Sequence, residues 1–275
     1  MIHDLRPYLW LARLTLLRQM AYRMRYLTGI ATYGIFVGAL YFVWKAIYAQ
    51  QAASGGGERI GGLTLAELTT YLTVGYVARA AYFTNTDGEI AARVGSGDVT
   101  LDLLKPIHFH GQWLSQAAGE TLFRLLFFAA PMALVLGPLF GVMAPQGHGW
   151  WQFPLLFLAA FWINAELNLL VGTCAVWLES IQGLLSLKRN LMLLLSGTLV
   201  PLHFLPDGLA AVMGWLPFAL LSYLPNLAWL GQLGQGSHPT FGVVAATACG
   251  WILVLRLANL RLWARARARF EAQGG

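Results

Sequence analysis

The sequence predicts an all-α integral membrane protein. It would have six transmembrane helices, an N-terminal interfacial helix, a loop with short helices between spans two and three, and a re-entrant helical element between spans five and six. Three observations carry that prediction. Of 275 residues, 57% are hydrophobic and only 11% are charged, against about 25% charged in ordinary soluble domains. Several windows reach the roughly 20 mostly apolar residues that cross a bilayer, in keeping with a mean hydropathy of +0.59. Four prolines then interrupt the apolar stretch from Leu191 to Asn226. The cysteines, Cys174 and Cys249, both fall in predicted spans, which argues against a disulfide framework or a metal cluster. The net charge of +6 reads as basic flanks of membrane spans rather than a nucleic-acid surface. No short apolar core with a small-residue cleavage site opens the chain, so no removable signal peptide is expected.

Residues 1–26 carry Arg6, Arg13, Arg18, Arg23 and Arg25 among Leu, Trp and Tyr, with Asp4 as the sole acid. This composition suits an interfacial helix. The arginines do not gather on one face, however, and a plain basic flank that orients the first span is the other reading. A six-span domain then occupies residues 27–262. Its first span, Leu27–Tyr48, is roughly 33 Å long at 1.5 Å per residue, with Lys45 placed to snorkel. A glycine-rich loop (49–62) follows. The second span, Leu63–Phe83, holds Glu67, Thr69, Thr70, Thr73 and Arg79, so it is expected to face protein or a cavity.

Residues 84–112 form the only sizeable polar connection. Gly88 to Val94 reads as a short helix, Gly95–Gly97 as a break, and Val99 to Leu104 as a second turn halted by Pro106. The third span, Ala117–Met143, carries Glu120 and Arg124 at ion-pair spacing. The fourth, Gln152–Leu178, contains Asn164, Glu166 and Asn168. Positions 164 and 168 share a helix face and 166 lies nearly opposite, so the three cannot line one narrow path. Glu166 is either functional, as intramembrane carboxylates are by default, or structural, paired with Arg124 or Arg79.

After 179–190 the fifth span rises from Leu191 to about Pro201. Pro201, Pro206, Pro217 and Pro225 then punctuate an apolar segment whose one charge is Asp207. A straight helix cannot pass four such residues, and non-helical backbone at membrane depth must be satisfied by protein or water. Residues 201–226 therefore read as a re-entrant element. The sixth span is Phe241–Leu260, and 263–275 is a basic tail. Lys and Arg concentrate in the N-terminal segment, the 84–112 loop, the fourth-to-fifth connection and the tail, which places both termini in the cytoplasm.

Little of the sequence suggests catalysis. The three lysines, Lys45, Lys105 and Lys188, follow no G-x-x-x-x-G phosphate loop. His108 and His110 either hold an ion or form a bland interfacial pair; no carboxylate or cysteine follows at ligand spacing. His203 either binds substrate or caps a helix end.

Two stretches carry a family resemblance. G-x-x-V-P-L-x-F-x-P (Gly197 to Pro206), followed by L-P-F (Leu216 to Phe218), resembles the type-2 ATP-binding-cassette (ABC) exporter permeases, within them a subfamily encoded as paired permeases. E-I-x-x-x-x-x-x-G-D-x-x-x-D-L-L-K-P (Glu89 to Pro106) is similar to the family's stretch between spans two and three. The resemblance implies that 84–112 is a coupling loop whose helix seats in a groove of an ATPase, through Glu89, Ile90, Arg93, Gly97, Asp98, Asp102, Leu103, Leu104, Lys105 and Pro106. A pathway or gate would involve Arg79, Glu166, Gly197, Pro201, His203, Pro206, Asp207 and Pro217. It also implies separate ABC ATPase subunits that bind ATP and Mg, a second permease subunit (identical or a sister chain), surrounding lipids, and no nucleic acid. The setting would be a bacterial cytoplasmic membrane and the cargo an amphiphilic or hydrophobic molecule moved outward. An ATP-independent channel or proton-coupled carrier using Glu120, Arg124 and Glu166, or a non-transporting membrane subunit, are the alternatives.

Overall fold

A computed structural model describes residues 5–21, 24–178 and 180–273. Asp4, Arg23 and Glu179, which entered the reading of the flanks, lie outside the described residues, as do Gly274 and Gly275. Among the described residues every regular element is helical, apart from one bridge between Ile60 and Leu63. Among the described residues, four stretches are long and apolar enough to cross a membrane: Thr28–Ala53, Phe109–Phe140, Gly149–Val176 and Phe241–Arg269.

Helix α1 (Arg6–Ala21) is not a free flank. It lies along α6 (Phe109–Arg124), where two glycines let the backbones meet. A Cβ on Gly119 would sit 2.1 Å from the Ala12 carbonyl oxygen, and one on Gly111 2.5 Å from the Tyr8 ring. Helix α2 (Met24–Ala53) reaches the core through Val37, through the edge-on contacts of Tyr33 and Phe36 with Tyr76, and through Tyr48, whose hydroxyl donates to the Leu63 carbonyl at 2.7 Å.

The polar second segment is the innermost helix. In α3 (Leu65–Tyr82), Thr64 and Glu67 form a reciprocal capping box, which satisfies two N-terminal backbone donors. Thr69, Thr70 and Thr73 are buried with Tyr71, Tyr76 and Tyr82, as a span facing protein requires. The connection that follows folds as α4 (Thr86–Ser96) and α5 (Val99–Leu103). Helix α6 runs through a π-helical turn at Leu125–Ala129 into α7 (Ala130–Phe140), so the third segment starts at Phe109, earlier than Ala117. Helix α8 (Gly149–Thr173) packs against α3 and α4.

The fifth segment differs most from the sequence reading. Helix α9 (Gln182–Leu195) begins well before Leu191 and stops short of Pro201. At 14 residues it measures roughly 21 Å, too short for a hydrocarbon core of about 30 Å. It starts early because Lys188 is buried against other helices. It ends early because Gly197 adopts a left-handed φ of +72° while Tyr71 Oη donates to its carbonyl at 2.7 Å.

The proline-rich element follows as a 3-10 turn at Leu202–Phe204, then α10 (Asp207–Trp215), a second 3-10 turn at Ala219–Leu221, and α11 (Tyr223–Trp229). Its two halves bend by 71°. Pro206 precedes α10 and Pro217 falls between the halves, while Pro225 sits in the first turn of α11, where its missing N–H costs no bond. The element extends to Trp229 rather than closing at Asn226. Helix α12 (Phe241–Gln273) continues without a break at residue 262. Trp263 stacks on Phe109 at 3.6 Å, so the basic tail is helix as far as Gln273.

Candidate functional site

The segment between α3 and α6 is an elbow made by its own sequence. Asp87 and Glu89 occupy the first turn of α4, where the macrodipole favours acids, and Arg93 its last turn. Gly97 terminates α4 in the left-handed conformation, φ +80°, as a helix-ending glycine does. Asp98 leads into α5, which stops before Pro106. The buried Asp102 carboxylate closes the elbow. It accepts from Arg93 Nε at 2.7 Å, Lys105 Nζ at 2.6 Å and Gln112 Nε2 at 2.9 Å. Burial works to raise the Asp102 pKa, but the Gln112 and Lys105 hydrogen bonds and the Arg93 charge outweigh it and hold it below the usual carboxylate value. Glu89 goes the other way: burial, then the Glu120 carboxylate, push it up, opposed by Arg18 and Arg93.

The inner face of α4 is bolted to two helices. Ile90 packs where α8 presents Gly172, whose added Cβ would lie 2.9 Å from the Ile90 Cβ. Beside it, Lys188 of α9 donates to Asp87 of α4 and, at 2.6 Å, to Asn168 of α8. Asn168 in turn donates to the Thr84 carbonyl and hydroxyl at 3.2 and 3.1 Å. All four side chains are buried. A paired buried charge is tolerated where hydrogen bonds complete its shell, and here one lysine ties three elements together.

A second polar node lies half a turn back along α8, on nearly the opposite face from Asn168. Glu166, fully buried, meets His110 Nε2 of α6 at 2.9 Å and accepts from Asn259 Nδ2 of α12 at 2.7 Å. Under the structural reading of Glu166, the sequence offered Arg124 or Arg79 as its partner. Instead Arg124 pairs with Glu120 at 2.8 Å, and Arg79 lies 4.9 Å from the Phe83 ring centroid. No group of three metal-ligating residues occurs among the described residues.

Of the ten residues expected to engage an ATPase, Ile90 and Asp102 face inward. Gly97, Asp98, Leu104, Lys105 and Pro106 are exposed, and Glu89, Arg93 and Leu103 lie between. The outward surface carries two unpartnered apolar side chains, Leu104 at 80% exposure and Leu101 at 56%. The sequence reading passed over Leu101, although it stands one helical turn before Leu104.

The expected gate residues do not form one set. Gly197 lies beneath Tyr71, Leu202 and Tyr223. His203 and Asp207 line a cavity of about 470 Å³ with Tyr223, His238, Trp215 and Val244. There the Nδ1 atoms of His203 and His238 lie 3.3 and 3.4 Å from the Tyr223 hydroxyl. Pro201, Pro206 and Pro217 shape the backbone of that element. Arg79 and Glu166 belong to other contacts. Tyr223, His238, Asp87, Lys188 and Asn259 were not legible as partners, since the pairs they form are separated by up to 101 residues.

Several helices long and apolar enough to cross a membrane, a kinked hairpin and a charge-locked elbow define a polytopic membrane protein. The chain belongs to the ABC-2 family transporter proteins, whose family model matches residues 35–274. It is thus a membrane permease of an ABC transporter, the multi-pass component rather than the ATPase, in a family that works with an ATPase partner. No curated protein matches it.

Proposed function

We propose that the chain is the permease subunit of an ATP-driven ABC exporter that moves an amphiphilic or hydrophobic substrate outward across a bacterial inner membrane. It would cross the membrane six times with both termini cytoplasmic, and pair with a second permease subunit and two cytoplasmic ATPases that bind ATP and Mg. The observation that carries this reading is the α4–α5 elbow. Asp102 holds its shape, Asp87–Lys188–Asn168 joins it to α8 and α9, and Leu101 and Leu104 project from it. A push on that tip is transmitted through a buried ion pair rather than absorbed by a flexible loop. Movement of α9 would reach the broken element directly, because the Tyr223 N–H donates to the Ser196 carbonyl at the end of α9. The second reading, an ATP-independent carrier, would use the buried Glu166–His110 and Glu120–Arg124 pairs as its proton-handling groups.

The test is co-purification in mild detergent from the native cells, with ATP hydrolysis as readout. Wild type should bring down a soluble ATPase. Leu101→Glu/Leu104→Glu should lose it while keeping the wild-type melting temperature, since neither side chain is buried. Wild-type chain recovered alone in several detergents would favour the ATP-independent carrier.

A further inference from the structure

We infer that the cavity between the broken element and the start of α12 binds a protonated amine carried on an apolar body. Several segments far apart in the chain converge on this space. A 3-10 turn supplies His203, α10 supplies Asp207 and Trp215, and α11 supplies Tyr223; His238 comes from the following loop and Val244 from α12. At about 470 Å³ the cavity lies in the ordinary range for ligand sites, about 300–1,000 Å³.

Its charge selects the occupant. No lysine or arginine lines the cavity, and Asp207 is the one lining carboxylate. Pro206 sets the start of α10, so that Asp207 stands exposed in its first turn. Among the described residues no cation and no hydrogen-bond donor engages that carboxylate. An imidazole near its ordinary value of about 6.5 is mostly neutral at pH 7, and burial pushes His238 lower still. The cavity is therefore anionic. The Tyr223 hydroxyl, 3.3 and 3.4 Å from the Nδ1 atoms of His203 and His238, has one proton to give. It donates to one ring and accepts from the other, and the ring that donates through Nδ1 keeps a bare Nε2 lone pair. An anion would find repulsion here and no counter-charge. A metal ion is not the complement either, since His203, Asp207 and His238 form no group that could hold one. An ammonium group uses what is present: the carboxylate for its charge, the imidazole lone pair for an N–H, and the Trp215 ring for a cation–π contact. Its apolar body would lie against Leu224 and Val244.

As a statement about cargo, an amphiphilic amine, this rests on the exporter reading above. Binding itself requires neither an ATPase nor a membrane orientation. A failure here leaves the exporter reading standing, and a failed co-purification leaves this one. The experiment uses the full chain in maltoside detergent, titrated calorimetrically with phenylbutylamine, phenylbutanol and phenylbutyrate, which share an apolar body and differ in charge. The amine should bind about tenfold more tightly than the alcohol, and the carboxylate most weakly. That preference should shrink as salt is raised, because Asp207 is exposed. It should vanish in Asp207→Asn, with an unchanged melting temperature as proof of folding. Glu58→Gln, which alters an exposed carboxylate outside the cavity, should leave it intact. Ala211→Trp, which fills the cavity from an exposed position, should weaken amine and alcohol alike. Equal affinity for amine and alcohol, a preference that persists in Asp207→Asn, or displacement of the amine by equimolar zinc chloride would overturn the inference.

Discussion

Lys188 shows how much one side chain decides. Lys188→Met leaves Asp87 buried without its cation, which should cost about 3–5 kcal/mol. Asp87→Asn/Lys188→Met, which removes both charges, should cost far less, and the coupling energy from the double-mutant cycle should exceed about 1 kcal/mol. Denaturant or thermal unfolding in detergent measures both. Asp102 makes a pH-dependent counterpart. Its pKa is lowered in the folded chain, so its stabilisation is fully present above the ordinary carboxylate value near 3.9 and is lost as pH falls through the lower, folded value. Asp102→Asn should remove that acid-sensitive component, seen as a shallower loss of melting temperature on acidification. The sequence displayed Asp102 within its charged motif, yet displayed Lys188 only as part of a basic flank. Its partner stands 101 positions away, and no local spacing announces such a pair.

Among the elements, α1 and the broken hairpin depend on glycines at defined positions. Gly119→Val would drive a branched side chain into the Ala12 backbone. Overpacking of that kind costs about 1–3 kcal/mol, and here the simplest relief is for α1 to lift off α6. Trypsin should then cut at Arg13 and Arg18 faster than in wild type, while the melting of the remaining helices changes little. Gly197→Ala should cost about 1–2 kcal/mol for its left-handed backbone, with further strain because the new Cβ meets Tyr223 at 3.0 Å. Thermal unfolding measures this as well. The elbow and the kinked hairpin were both legible as elements, since glycine and proline restrict the backbone wherever they stand. The limits of α9 and α12 were not. Hydropathy marks where a chain is apolar, whereas these helices continue through charged residues, α9 because Lys188 is buried among partners and α12 because Trp263 stacks on Phe109.

At the scale of the molecule, orientation is the feature most open to a direct test. In a background of Cys174→Ser/Cys249→Ser, Ser96→Cys at the elbow and Ser237→Cys beside the histidine cavity should be labelled by impermeant maleimide from opposite sides of a sealed vesicle. Labelling of both from one side would exclude the proposed topology. The helical class, the apolar crossings, the short helices between α3 and α6 and the proline-broken element were determined by the sequence itself, because hydropathy, helix-breaking residues and local charge act over a few turns of chain. Only the tertiary structure decided that Glu166 answers to His110 and Asn259, that Asp87 finds Lys188, that Ile90 turns inward while Leu101 and Leu104 turn outward, and that α1 lies on α6. Those outcomes depend on which distant surfaces meet when the helices pack. A buried charge takes whichever partner the packing brings within hydrogen-bond reach.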